Sequence, residues 1–216
     1  MTTPRPPADP AVAGWSQGML RPRVGRLDDI GGPRPRRLVV KVGGSLLSRP
    51  GWPHRLTSLV AAHDGRVCRI VVGGGGVVDG LRSIDRAAPQ PPELMHALAI
   101  DGMRLTARLV SAAVGLPLVA GVWEPAGRAV LDVPAWLDGG AASRLPVGWH
   151  VTSDSIAARV AVENAAGLLL VKSVPPPPCP GEPNLLAALA EAGWVDPHFP
   201  EAAAELGEIG WAAWNG

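Results

Sequence analysis

Four short stretches carry residue types suited to binding and moving phosphate. They are Lys41-Val42-Gly43-Gly44-Ser45, Val71-Val72-Gly73-Gly74-Gly75-Gly76, Thr152-Ser153-Asp154-Ser155 and Val171-Lys172-Ser173-Val174. Glycine has no Cβ, so backbone N–H groups beside it can close on an anion. Successive N–H groups at a strand-to-helix turn form a phosphate cradle. Lys41, two residues before the first glycine pair, can put an ammonium into such a cradle; the alternative is a strand lysine that snorkels to the surface. Two familiar nucleotide loops do not fit. The pattern G-x-x-x-x-G-K-[ST] is absent, and no start at Gly73, Gly74 or Gly75 satisfies G-x-G-x-x-G. Neither a P-loop ATPase nor an NAD enzyme is favoured. Eighteen of the twenty basic residues are Arg, and Lys41 and Lys172 are the two lysines of the chain. Asp154 at a helix start is a good cap whatever else it does.

The residues between these stretches dictate the elements that hold them. Leu38-Val39-Val40-Lys41-Val42 reads as a buried strand, and residues 67–72 as a second; each ends in glycines. Further strands are expected at 116–122, 128–133 and Leu168-Leu169-Leu170-Val171, the last leading into Lys172, with an edge strand at 209–214. Helical patterns cover 54–63, 77–87, 93–114 with Gly115 as stop, 134–138, 152–166 with Gly167 as stop, 184–192 and 200–206. Pro175-Pro176-Pro177-Pro178 reads as a rigid loop. Continuous apolar strands alternating with helices predict an α/β fold, a mostly parallel central sheet with helices on both faces. Ligands in such folds sit at the carboxyl ends of the strands, where the glycine stretches fall. On the long helix, Asp101, Arg104 and Arg108 share a face; they form a solvated ion-pair row or include an arginine that grips an anion.

Composition narrows the function. The 216 residues suit one domain, 47% hydrophobic and 18% charged, with net charge +1. That charge gives no reason to expect nucleic acid or an anionic membrane as partner. The longest uncharged apolar stretch, 109–123, is interrupted by Gly115, Pro117 and Gly121 and is too short to span a bilayer. Cys68 and Cys179 form no framework and read as thiols of a cytoplasmic protein. No Cys/His cluster has zinc spacing, so no protein metal ligands are expected. Residues 1–37 hold seven Pro and seven Arg against three acids. They read as a flexible Pro/Arg-rich tail ahead of a domain over 38–216, unless translation begins at Met19. The eight Trp are not spaced as a stacking platform and read as core and edge residues, with Trp211 or Trp214 a candidate oligomer contact.

Taken in order, the four stretches resemble the amino acid kinase family, which includes acetylglutamate, aspartate, glutamate-5 and uridylate kinases. The segments Met95-His96-Ala97-Leu98-Ala99-Ile100-Asp101 and Val195-Asp196-Pro197-His198-Phe199-Pro200, with Thr152–Ala158 and Lys172-Ser173-Val174, are similar to small archaeal kinases of methanofuran biosynthesis. Those kinases phosphorylate an aminomethylfuran methyl phosphate to a diphosphate. The resemblance implies an ATP donor with Mg²⁺ bridging its phosphates, a small phosphorylated acceptor and a homo-oligomer. It implies that Lys41 contacts the transferred group, that Asp154 orients the phosphate-binding lysines and that Lys172 faces the nucleotide. Gly43, Gly44, Ser45 and Ser173 would then hold the donor. Gly73, Gly74, Gly75, Thr152, Ser153 and His96 would border the acceptor, though a helical histidine is also commonly a packed or surface residue. Two readings stay open beside it: a carboxylate acceptor of the acetylglutamate or aspartate type, and a non-catalytic nucleotide- or oxyanion-binding protein. One departure is plain. After Val174 the family's Asp-Gly and nucleotide-covering loop are replaced by four prolines, and no later lysine follows.

Overall fold

The computed structural model describes residues 23–25, 36–124, 126–139, 145–174 and 184–214. Among the described residues, seven parallel strands form one sheet: β1 (Arg23–Gly25), β2 (Arg37–Val42), β3 (Val67–Val72), β4 (Leu118–Val119), β5 (Arg128–Leu131), β6 (Gly167–Lys172) and β7 (Glu208–Ala213). Their order across the sheet is β1-β7-β6-β2-β3-β5-β4. The helices are α1 (Trp52–Ala61), α2 (Gly75–Ala87), α3 (Pro92–Val114), α4 (Val133–Asp138), α5 (Ser153–Glu163), α6 (Leu185–Glu191) and α7 (Phe199–Ala202), with a 3₁₀ turn at Gly44–Ser48. The α/β architecture is the one expected from the alternating pattern.

Strand periodicity decides which helix each side chain meets. Leu38, Val40 and Val42 point to one face and pack with Leu56 and Val60 of α1 and Ala107 and Val110 of α3. Val39, Leu168 and Leu170 point to the other and pack with Ile156, Ala157 and Val160 of α5. Lys41 has the parity of Val39, and Lys172 the parity of Leu168 and Leu170, so both lysines project toward α5. Register completes the placement. Lys41 pairs with Val71 on one side and Leu170 on the other, which brings the ends of β2, β3 and β6 together.

Several boundaries differ from expectation. The strand expected over 116–122 shrinks to two residues, since the Leu116 N–H returns to Ser111 at the end of α3 and the chain bends again at Gly121. Helix α5 stops at Glu163 rather than running on to Gly167, because Ala165 adopts φ 48°. Gly167 opens β6 instead. Strand β7 is interior rather than an edge, with β6 on one side and β1 on the other. β1 lies within the segment read as a tail. Trp211 and Trp214 are buried within the chain, which removes them as oligomer contacts. Gly115 ends α3 in the left-handed region, as expected. Pro175–Pro178 and Cys179 lie outside the described residues, and Cys68 is a buried free thiol. Among the described residues no helix is long and apolar enough to cross a membrane.

The two glycine loops pack backbone to backbone. A Cβ on Gly44 would lie 2.5 Å from the Gly73 carbonyl oxygen and closer still to the Gly75 nitrogen, while Gly75 itself has φ +52°. Gly76, one residue on, has open space at its Cβ position. Gly44→Ala is therefore expected to cost about 1–3 kcal/mol by forcing the loops apart. Gly76→Ala is expected to be neutral or to stabilise by up to about 1 kcal/mol, through a lower helix entropy cost. Urea denaturation of both variants checks this; equal midpoints would contradict the packing argument.

Candidate active site

At the floor of the site one carboxylate holds two ammonium groups. Asp154 Oδ1 is 2.8 Å from Lys41 Nζ, and Asp154 Oδ2 accepts a 2.6 Å hydrogen bond from Lys172 Nζ. Lys172 also donates to the Trp194 carbonyl at 2.9 Å. The parity of β2 and β6 delivers the lysines, and the first turn of α5 delivers the carboxylate. Lys41 and Asp154 are each about 5% exposed. Buried charges persist only when paired, and here the pairing is unequal, leaving one excess positive charge. Burial pushes the Asp154 carboxyl up, but Lys41 and Lys172 together outweigh it and hold it below the usual range. Burial, and then the neighbouring Lys41, lower Lys172 to about 8, against the opposing pull of Asp154.

A cavity of about 270 Å³ opens above this floor. It is lined by Lys41, Gly43, Gly44, Ser45, Gly73, Gly74, Gly75, His96, Thr152, Ser153, Lys172 and Ser173, while Asp154 sits behind the lysines. The residues singled out in sequence thus converge on one place. Gly43 and Gly73 line the cavity, but their own amides are engaged elsewhere. The Gly43 N–H donates to Val171 at 3.0 Å and the Gly73 N–H to Val42 at 2.9 Å, so both extend the sheet. The N–H groups that remain for an anion belong to the residues that open the 3₁₀ turn and α2, which lack intrahelical acceptors. Helix α2 has no side-chain cap at its start. Thr152 is committed too: its hydroxyl donates to Asp196 at 2.7 Å.

Sequence reasoning missed four contributors. Arg82 and Asp79 of α2 reach the cavity and pair with each other at 3.1 Å. Trp149 lies beneath the Arg82 guanidinium, 5.1 Å from ring centroid to Cζ, and donates its Nε1–H to Asp85 at 2.7 Å. The fourth is Asp196. The expected arginine row on α3 is absorbed elsewhere, since Arg104 pairs with Asp132 at 3.0 Å and approaches Asp101 at 3.9 Å; the cavity's arginine comes from α2. One turn of spacing puts Arg82 over the same wall as Val78 and Asp79, a signal available in the amphipathic pattern of α2 once its inward face is known. His96 accepts the Gly148 N–H at Nδ1, 3.3 Å, which leaves the neutral ring's proton on Nε2; burial lowers its pKa. Among the described residues no group of three His, Cys, Asp or Glu side chains could cage a metal. A Mg²⁺ carried in on substrate phosphates needs no such cage, because it keeps several waters and binds few protein oxygens.

The lowered pKa of Lys172 makes anion binding depend on pH. A docked polyanion favours the ammonium form and so raises the pKa above about 8. The bound state then holds more protons on the alkaline side, and affinity must fall as pH rises through about 8. Calorimetric titration with ATP is expected to show this loss, and Lys172→Arg, permanently charged, is expected to flatten it. A pH-independent affinity in the unaltered protein would contradict the assignment.

Comparison with known proteins places the chain in a family and a fold. The amino acid kinase family model matches residues 36–176. Uridylate kinase from Archaeoglobus fulgidus superposes with TM-score 0.58 at 16% identity, covering 83% of this chain and 90% of that one. UMP kinase from Bacillus anthracis gives 0.57 at 13% identity, covering 85% and 88%. Aspartate kinase from Synechocystis gives 0.55 at 17% identity, covering 81% of this chain and 38% of that larger one. At such identities the likeness is one of fold. No curated protein sequence matches the chain. The matched span includes Lys41, both glycine loops, Asp154 and Lys172, and the chain belongs to the amino acid kinase family.

Proposed function

We propose that the chain is an ATP-dependent kinase that transfers the γ-phosphoryl group to a small acceptor bearing its own phosphate. The observation that carries this reading is the pair of ammonium groups on one buried carboxylate, opening with a net positive charge between two glycine loops. Phosphoryl transfer demands little covalent chemistry from the protein; positioning and charge stabilisation supply most of the rate. An oxygen of the acceptor phosphate attacks the γ-phosphorus, the bond to the β-phosphate oxygen breaks, and ADP departs with the electron pair. No enzyme nucleophile is required. Lys41 and Lys172 meet the charge on the moving group, and the amides opening the 3₁₀ turn and α2 fix the flanking phosphates. Mg²⁺ would enter with the nucleotide and neutralise its phosphate oxygens.

The acceptor wall supports a phosphorylated substrate. Arg82 offers a cation, Asp79 an anion and Trp149 a flat surface. That set suits a molecule with a phosphate, an ammonium and a small ring, and the aminomethylfuran methyl phosphate is the finest form of this reading. The partner besides substrate is a second copy of the chain. Leu94, Leu98, Leu105 and Leu109 lie exposed along one stripe of α3 and offer such a contact.

The test is phosphorus NMR on the full chain, since β1 belongs to the sheet, with Mg-ATP and aminomethylfuran methyl phosphate. Diphosphate signals matched by ADP are expected. Lys41→Ala is expected to lower kcat by about 10²-fold or more and to cost far less in stability, because the remaining Asp154–Lys172 pair is neutral overall. Arg82→Ala is expected to raise the acceptor KM by about tenfold with the ATP KM unchanged. Undiminished transfer by Lys41→Ala would overturn its role. Turnover on acetylglutamate or aspartate alone would shift the reading to a carboxylate kinase. ATP binding with no turnover on any acceptor would shift it to a binding protein.

A further inference from the structure

Asp196 is buried in the turn between α6 and α7 and does not line the cavity. Its carboxylate nonetheless collects five hydrogen bonds. Oδ2 accepts the Thr152 N–H at 3.0 Å, the Thr152 hydroxyl at 2.7 Å and the Ser155 N–H at 3.0 Å. Oδ1 accepts the Ser155 hydroxyl and, at 3.2 Å, the His198 N–H. Thr152 and Ser155 bracket Asp154 in the first turn of α5. A helix start attracts an anion through its unpaired N–H groups. At α5 that place is filled by a carboxylate from 41 residues along the chain, measured from Ser155. The starts of α2 and α5 therefore differ in kind: the first has no side-chain cap, the second is bolted down.

The same turn reaches the other half of the charge cluster. The Trp194 carbonyl accepts from Lys172, and the Trp194 N–H is anchored to Leu189 of α6 at 2.9 Å. An ammonium has three N–H donors. On Lys172 one goes to Asp154 and one to Trp194, which leaves the third for the cavity. We infer that Asp196 is a positioning residue: by fixing the start of α5 while its own turn fixes Lys172, it sets the geometry in which Asp154 holds both lysines at the cavity floor.

The inference rests on the kinase reading only for its kinetic readout, so a second readout that needs no substrate separates the two. The chain has two lysines, so lysine-selective ¹³C labelling yields two side-chain signals, and Lys172→Arg identifies which is which. The groups facing Lys172 are Lys41 from β2, Asp154 from α5, the Trp194 carbonyl and the Trp211 ring from β7. Asp154 is the one that raises its pKa. Loosening the start of α5 weakens that pull, so in Asp196→Asn the Lys172 titration is expected to move below its value of about 8, by about half a unit or more. In Ser155→Ala the Asp196 charge stays and one hydrogen bond goes, and a smaller shift in the same direction is expected. For Asp196→Asn, kcat is expected to drop by about tenfold with the ATP KM nearly unchanged.

A folded Asp196→Asn whose Lys172 titration stays in place would overturn the inference, whatever its loss of stability. A shift in Asp196→Asn with none in Ser155→Ala would also overturn it, by showing a direct charge effect rather than positioning. Should Asp196→Asn fail to fold, the Ser155→Ala titration alone decides. Absence of transfer by the unaltered protein would count against the kinase reading and leave the NMR result standing.

Discussion

One buried carboxylate between two ammonium groups is the constraint on which the site depends. Removing three charges from water is costly, and the cost is tolerable only because Asp154 faces Lys41 and Lys172 at contact distance. The arrangement is also incomplete by one negative charge. A cluster that satisfied itself fully would have no use for a ligand. This one is stabilised further by any anion that reaches the cavity, which couples the folding of the site to its occupancy.

The remaining structure can be understood as the means of building that cluster at an edge accessible to solvent. Parallel strands aim all their carboxyl ends one way, so β2, β3 and β6 deliver their following loops to one rim. Alternation along β2 and β6 turns Lys41 and Lys172 to the same face, and α5 packs on that face. The glycine loops then close so tightly that no side chain fits between Gly44 and Gly75. The result is a wall of backbone N–H groups over a floor of ammonium groups, two kinds of positive charge held in place by different means: the amides by the fold itself, the lysine tips by Asp154 and, for Lys172, the Trp194 carbonyl.

Much of this was legible in the sequence because it rests on local signals. Apolar runs ended by glycines located β2 and β3, and a Thr-Ser-Asp run located the start of α5, so Lys41, Gly44, Gly75, Asp154 and Lys172 stood out. What was not legible depends on contacts between distant segments. Arg82 has the look of any exposed helix arginine until α2 is docked beside Trp149, 67 residues away in number. Asp196 sits in a sequence with no feature that announces five donors converging on it. Strand β7 was read as an edge because nothing in residues 208–213 foretells that Arg23–Gly25 will pair with it. The arginines of α3 were the converse case: their spacing was read correctly, but Arg104 is drawn to Asp132 at the start of α4, a partner outside its own helix.

The confinement of both lysines to one cleft has a consequence for covalent chemistry. The chain's other cationic side chains are guanidinium groups, which do not take part in acylation, reductive alkylation or isopeptide formation as amines do. Lys172, lowered to about 8, is uncharged and so nucleophilic in a larger fraction at neutral pH than an amine of ordinary pKa. Every lysine-directed modification of this protein, by a reagent or by a cell, is thereby a modification of the floor of this cavity.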